Sequence, residues 1–425
     1  MRRFSTIICT LLLSVALYAG VPGTATQRKA VALDAAGGKF ECCNWGILAV
    51  NAKGDTIANL NSKRRMVPAS NMKLITTGAA LITFGGGYTF KTGIATDGEV
   101  RDTTLHGNLY IIGGGDPLIG NLFSYLPKPD IPFGKWYRIL EDKGIRRIEG
   151  SIIGNGSYFD DSFHTDWSNE DRRSKDGVVP SGLTWRGKME DPLPDGPIAA
   201  AEYFKEWLQA KGVTVSEDPF AAGEPAAYDT PADSLTMLGT AASATLRTIV
   251  SIANHQSDNF CAETLIKAIG KKIAGFDDYD HATAALHRAL SPLGLAVASH
   301  KMRFADGSGL SRKNYISPDF IVRFLCAMQK TKSYSDFHNS LPKPGRSDGT
   351  LKTRLPKAPA EIKNRIWMKS GSMAGTRCFS GYIDSSDGTA ANTIAFSVMV
   401  NNYVGSSEEL SRILDELILS LANEN

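Results

Sequence analysis

The chain has 425 residues, 42% of them hydrophobic and 21% charged, which is enough material for more than one core and excludes a predominantly disordered polymer. Its 47 basic and 44 acidic side chains leave a formal charge of +3, so bulk charge gives no basis for binding nucleic acid or anionic lipid.

At the N-terminus, Arg2 and Arg3 precede an apolar run from Ile7 to Ala19, and small residues follow at Gly23, Thr24 and Ala25. That layout is expected of a signal peptide over residues 1–25. The run is too short to span a bilayer comfortably, so an exported, soluble protein is expected, with at most peripheral membrane association. Of six cysteines, Cys9 would leave with the signal. Cys42, Cys43, Cys261, Cys326 and Cys378 follow neither a zinc pattern nor a disulfide framework and read mostly as small buried hydrophobes.

Next, Trp45 to Asn61 reads as a hairpin around a turn at Asn51 to Asp55, leading into an apolar helical stretch, VPASNMKLITTGAAL, at 67–81. From Gly85 onward come short β runs ended by Gly or Asp, so 85–234 is expected to be a mostly β domain of its own. Within it, Pro197 to Gly212 has helical character, and Glu217 to Ser234 reads as a linker. Helical periodicity resumes over 243–269 and 278–290. Lys369 to Ile383 and Thr393 to Asn402 read as strands. Apolar residues from Leu410 to Leu421 then recur at helical spacing behind a capping box of Ser406 and Glu409. The terminal parts, 26–84 and 235–425, are expected to form one domain around the 85–234 insertion.

Three short motifs carry the chemistry. Ser70 and Lys73 lie one helical turn apart, which places an amine beside a hydroxyl; a lysine kept neutral by burial and by a second cation could take the hydroxyl proton. An N-cap serine with a solvated lysine would explain that pair taken alone. Ser257-Asp258-Asn259 stands before an apolar helix, however, and Lys369-Ser370-Gly371 lies on a strand-like run, which makes three motifs in order and each in a fitting local context. No His-x-x-x-His or Gly-x-Ser-x-Gly occurs, so zinc hydrolases and α/β-hydrolases lack their signatures.

Ser-x-x-Lys, Ser-Asp-Asn and Lys-Ser/Thr-Gly are the elements of penicillin-recognising serine acyl transferases. The 187-position separation of Ser70 from Ser257 exceeds that of a compact β-lactamase. With LHGNLYIIGGGDPLI, SDNFCAETL, FADGSGLSRKNYISP and KSGSMAGTRCFSGYI, the chain from about Trp45 to Asn402 resembles the D-alanyl-D-alanine carboxypeptidase/endopeptidase family of the penicillin-binding-protein-4 type, peptidase family S13.

The resemblance implies an α+β multidomain fold: a serine β-lactamase/transpeptidase-like domain, an antiparallel sheet flanked by helices, with an inserted mostly β domain. It implies Ser70 as nucleophile, Lys73 as base, Ser257 and Asn259 as proton relay and amide holder, and Lys369 and Ser370 as carboxylate ligands. The backbone N–H of Ser372, beside Gly371, completes an oxyanion hole with that of Ser70. Arg377 is a candidate subsite residue. The partners implied are peptidoglycan stem peptides and, as covalent inhibitors, β-lactams; no cofactor, nucleic acid or particular oligomer is implied, and the location is the periplasm or cell surface. Endopeptidase cleavage, β-lactam hydrolysis, or slow-turnover β-lactam sensing and wall binding are the rival activities. Ser370 stands where the family usually has threonine. Asp116, Asp160 and Asp161 are candidates to face a diamino acid, although turn formation explains each. Asp306 reads as the end of a strand.

Overall fold

The structure is a computed structural model that describes residues 24–35, 40, 42–120, 132–160, 162, 164–173, 177, 179–186, 196–221, 234–295, 302–346, 348–387 and 392–424. The expected signal peptide up to residue 23, Asp161 and most of the expected linker lie outside them. The described residues form two compact units, one within 1–82, 251–258 and 287–425, the other within 83–250 and 259–286.

In the first unit, five antiparallel strands lie in the order Ile366–Met373, Thr376–Ile383, Ile394–Asn401, Asn44–Val50, Thr56–Leu60. The N-terminal hairpin therefore joins the C-terminal strands, with Asn44 opposite Asn401 and Val50 opposite Ala395. Strand alternation sends Trp45, Ile47, Ala49, Phe379, Val398 and Val400 to one face. There they form a core with Leu410, Leu414, Leu417, Ile418 and Leu421 of the Ser407–Asn423 helix. That helix starts where the capping box predicts, with Ser406 Oγ accepting from the Glu409 N–H at 3.3 Å. On the other face run the Met72–Phe84 and Pro318–Met328 helices, the latter tied to the sheet by Tyr382, whose hydroxyl donates to the Leu325 carbonyl at 2.8 Å.

The second unit holds two sheets, as the Gly-punctuated strands suggest. One has the order Phe220–Ala221, Ile152–Asn155, Leu109–Ile112, Lys91–Thr96, Thr236–Ala242; the other has Glu99–Arg101, Thr104–His106, Arg147–Ile148, Thr214–Val215. It also holds the Gly196–Ala210 helix, where Pro197 to Gly212 was expected to be helical, and the Phe133–Asp142 helix, which the sequence reading does not anticipate. Leu109–Ile112 and Ile152–Asn155 run parallel, and parallel neighbours need a crossover, part of which is the Phe133–Asp142 helix. Phe133, Trp136, Leu140 and Phe204 fill the core beneath. Residues 235–250, expected with the terminal parts, belong here because Thr236–Ala242 pairs antiparallel with Lys91–Thr96. The helix Asn259–Ala274 belongs here as well.

Cys43, Cys261 and Cys378 are buried, Cys326 is half-buried, Cys42 is exposed, and all five are free thiols. Among the described residues, no helix is long and apolar enough to cross a membrane.

Candidate active site

Ser70 sits in a single 3₁₀ turn, Ala69–Asn71, that feeds the Met72–Phe84 helix. The turn is tied to the sheet at both ends. The Asn401 side chain accepts from the Val67 N–H at 2.7 Å and donates back to the Val67 carbonyl at 3.1 Å. Asn71 Nδ2 donates to Ser380 Oγ at 2.7 Å, which in turn donates to Ser397 Oγ at 2.8 Å. Gly371, on the edge strand, lies against the same turn: a Cβ there would meet the Pro68 carbonyl oxygen at 2.6 Å and the Asn71 nitrogen at 3.1 Å. Only a residue without a side chain lets the strand come this close.

Lys73 is fully buried, while Ser70 is partly exposed. Lys73 Nζ donates to Ser70 Oγ at 3.0 Å and to the Ser308 carbonyl at 2.8 Å. Ser308 belongs to a loop organised by Asp306, which is fully buried. Its carboxylate accepts from the Gly309 N–H at 2.7 Å, the Ser311 N–H at 2.5 Å and Asn314 Nδ2 at 2.8 Å. At Gly309 φ is +87°, and a Cβ would fall 1.9 Å from the Ala69 carbonyl oxygen, so this loop also closes on the turn that bears Ser70.

Lys369, also fully buried, donates to Ser257 Oγ at 2.9 Å and to the Ser370 carbonyl at 2.7 Å. Burial first, and the charge of Lys73 second, hold its ammonium well below the usual lysine range. Ser257 adopts φ +59°, a left-handed conformation that a serine holds only when its surroundings impose it. Ser70, Lys73, Ser257 and Lys369 thus form two lysine–serine pairs within one unit. Such an array can deprotonate a hydroxyl, and it presents a cation to an anionic ligand. Ser370 Oγ reaches Thr350 Oγ1 at 3.0 Å, and Ser372 is exposed on the same strand.

Arg377 is not brought to this group. It lies between Cys378, whose thiol points to the Val67 carbonyl, and Thr376, but its own guanidinium donates to the Ser407 hydroxyl at the start of the C-terminal helix. Strand pairing sets it opposite Ser372, with its guanidinium near Arg354. Asn259 opens the Asn259–Ala274 helix of the second unit. Asp116 accepts from the Leu118 N–H at 3.0 Å and Asp160 from the Ser162 N–H at 2.8 Å, the local bonds of turn-forming aspartates. Among the described residues, no group of three or more His, Cys, Asp or Glu could hold a metal ion.

The family model for the D-Ala-D-Ala carboxypeptidase 3 (S13) family matches residues 27–191 and 193–423. The chain belongs to this family. It is 27% identical to the D-alanyl-D-alanine carboxypeptidase of Actinomadura sp. strain R39, over 85% of this chain and 78% of that one. The crystal structure of penicillin-binding protein 4 (DacB) from Haemophilus influenzae superposes with a TM-score of 0.75 at 20% identity, covering 93% of this chain and 98% of that one. A predatory peptidoglycan endopeptidase from Bdellovibrio bacteriovorus gives 0.59 at 17% identity, covering 90% and 93%.

Sequence reasoning took Asp306 for the end of a strand and passed over Asn314 and Thr350. For Asp306 and Asn314 the available signal was a run of Asp, Gly, Ser and Asn at 306–314, too polar for an ordinary buried loop unless every group is paired. For Thr350 no local signal exists.

Proposed function

We propose that this S13 carboxypeptidase removes the terminal D-alanine from peptidoglycan stem peptides through an acyl-enzyme on Ser70. The observation that carries this is a fully buried Lys73 whose Nζ lies 3.0 Å from Ser70 Oγ, in the field of a second buried lysine. Two ammonium groups in one desolvated pocket repel, so the pair favours one neutral amine. Lys73, whose Nζ lies beside Ser70 Oγ, accepts the Ser70 proton as Oγ attacks the carbonyl carbon of the penultimate D-alanine. Backbone N–H groups of Ser70 and Ser372 receive the oxyanion. The C–N bond then breaks, and the departing D-alanine nitrogen takes a proton relayed through Ser257. Water cleaves the ester, giving one proton back to Ser70 and the other to solvent, and the shortened peptide leaves as a carboxylate. Lys369 and Ser370 hold the terminal carboxylate of the substrate. The first structural unit is the catalytic domain.

β-Lactams acylate the same serine. In support, the Haemophilus influenzae protein has been crystallised with a β-lactam, and the Bdellovibrio endopeptidase as a penicillin G acyl form. The N-terminal Arg2-Arg3 and apolar run support action outside the cytoplasm, in the periplasm or at the cell surface. Cleavage of D-alanyl cross-links needs the same bond chemistry, and the name of the Bdellovibrio relative favours including it.

The test is covalent labelling with a fluorescent penicillin, peptide mapping of the adduct, and measurement of D-alanine released from a pentapeptide and a cross-linked dimer. Label on the Ser70 peptide together with D-alanine release is expected. Long-lived label without release would make the protein a sensor, and label on another peptide would remove Ser70 from the mechanism.

A further inference from the structure

Ser370 has no Cβ methyl, so its χ1 lacks the restriction of a β-branched residue. A serine hydroxyl left alone would sample three staggered positions, only one of which faces a ligand at the strand edge. In this chain the hydroxyl is not alone. Ser370 Oγ lies 3.0 Å from Thr350 Oγ1, and Thr350 is held by a loop stitched down on two sides. Its N–H donates to the His255 carbonyl at 3.1 Å, two residues before Ser257, and the Met368 N–H donates to the Pro342 carbonyl at 3.0 Å at the start of the loop. Gln256 Nε2 adds a bond to the Asp348 carbonyl at 2.7 Å. Gly349 packs so closely that a Cβ would meet the His255 carbonyl oxygen at 3.2 Å and Pro342 Cβ at 3.3 Å. Residues 348–350 are therefore joined to the Ser257 segment, and Pro342 to the Lys369 strand.

Given the carboxylate role proposed for Ser370 above, we infer that Thr350 is a positioning residue that fixes the Ser370 hydroxyl, replacing the restraint that a methyl at position 370 would supply. In the resting site Ser370 donates to Thr350. When a carboxylate arrives the pair reverses: Thr350 donates to Ser370 Oγ, and Ser370 donates to the carboxylate. A hydroxyl that accepts one hydrogen bond is a stronger donor in the next, so the relay favours an anionic terminus over a neutral one.

The experiment is a double-mutant cycle of Thr350→Val and Ser370→Thr. Valine keeps the shape of threonine and removes the hydroxyl. Each variant is assayed for kcat and KM on a stem pentapeptide, for labelling by a fluorescent penicillin, and for its melting midpoint. In the Ser370 background, Thr350→Val is expected to lower kcat/KM on the pentapeptide about three- to tenfold, the worth of one hydrogen bond, with most of the change in KM. In the Ser370→Thr background the same change is expected to cost less than about twofold, because the methyl then supplies the restraint. Thr350→Ser, which keeps the hydroxyl, is expected to retain most of the activity. Equal losses in both backgrounds, or wild-type kinetics for Thr350→Val, would overturn the assignment. Equal losses with a lowered melting midpoint would make Thr350 a structural residue of the loop only. If wild-type protein neither labels nor releases D-alanine, it is the carboxypeptidase assignment that fails, separately from the cycle.

Discussion

Gly371→Ala tests the closeness of the edge strand to the turn that bears Ser70. The added Cβ would sit 2.6 Å from the Pro68 carbonyl oxygen and 3.1 Å from the Asn71 nitrogen, both main-chain atoms. Ordinary van der Waals contact begins near 3.4 Å, so strand and turn must separate by about 0.8 Å. Neither yields freely: the turn is anchored by Asn401 and Ser380, and the strand is paired with Thr376–Ile383 along its whole length. Overpacking of this kind costs about 1–3 kcal/mol, which for a unit of this size lowers the melting midpoint by about 3–10 °C. The kinetic effect is larger, because a displacement of about 1 Å between reacting groups costs on the order of 10²-fold in rate. The second-order rate of fluorescent penicillin acylation is therefore expected to fall about 30- to 100-fold in folded variant protein, measured below its melting transition. Gly134→Ala, where a Cβ meets nothing within 4 Å, is the control and should leave the rate unchanged. A Gly371→Ala variant that acylates at the wild-type rate would refute the claimed approach of strand to turn, and with it the placing of the Ser372 N–H at the oxyanion.

The other predictions concern the two lysines and the loop. Lys73→Arg keeps the charge but cannot lose its proton, so penicillin acylation should fall by about 10³-fold; normal labelling would remove Lys73 as base. For Lys369, the folded ammonium titrates below its ordinary value of 10.5, mainly through burial and then through Lys73. The unfolded chain thus binds more protons between the lowered value and 10.5, and folding stability rises with pH across that window. Below it the full penalty of burying the charge is present, and above 10.5 it is gone. Wild type should therefore gain in melting midpoint relative to Lys369→Met as pH is raised from 7 to 10, and a difference independent of pH would contradict the shift. Asp306→Asn weakens three hydrogen bonds to a buried carboxylate and should destabilise the protein by about 1.5–3 kcal/mol while slowing acylation, since the Ser308 carbonyl that holds Lys73 loses its support. Unchanged denaturation and labelling would show that the loop stands without it.

Much of the first unit was legible because its signals are local. Trp45, Ile47 and Ala49 alternate with period 2, and Leu410, Leu414, Leu417 and Leu421 follow helical spacing; each set becomes one face of the same core. The second unit was less legible because its organisation is long-range. Nothing in Thr236–Ala242 announces that it pairs with Lys91–Thr96 about 140 positions earlier. The Phe133–Asp142 helix did carry a readable signal, Phe133, Trp136 and Leu140 at helical spacing, which the glycine-rich strands around it obscured.

At the site the same division decides what could be read. Nucleophile, base and cation announce themselves because the chemistry fixes both residue type and spacing, and Ser70 and Lys73 are one helical turn apart in any helix. Arg377 follows the Lys369 strand around a tight turn, and its pairing partner in the hairpin is Ser372, so which face it takes is set by the register of the two strands, which only folding fixes. Asp306 and Thr350 act through partners whose proximity exists only after folding, 306 beneath 308 and 350 beside 370. A buried carboxylate satisfied by two backbone N–H groups and an amide looks, on paper, like any aspartate in a glycine turn. The supporting residues of such a site are therefore to be sought in the hydrogen bonds of the folded chain, and the reacting residues in the sequence.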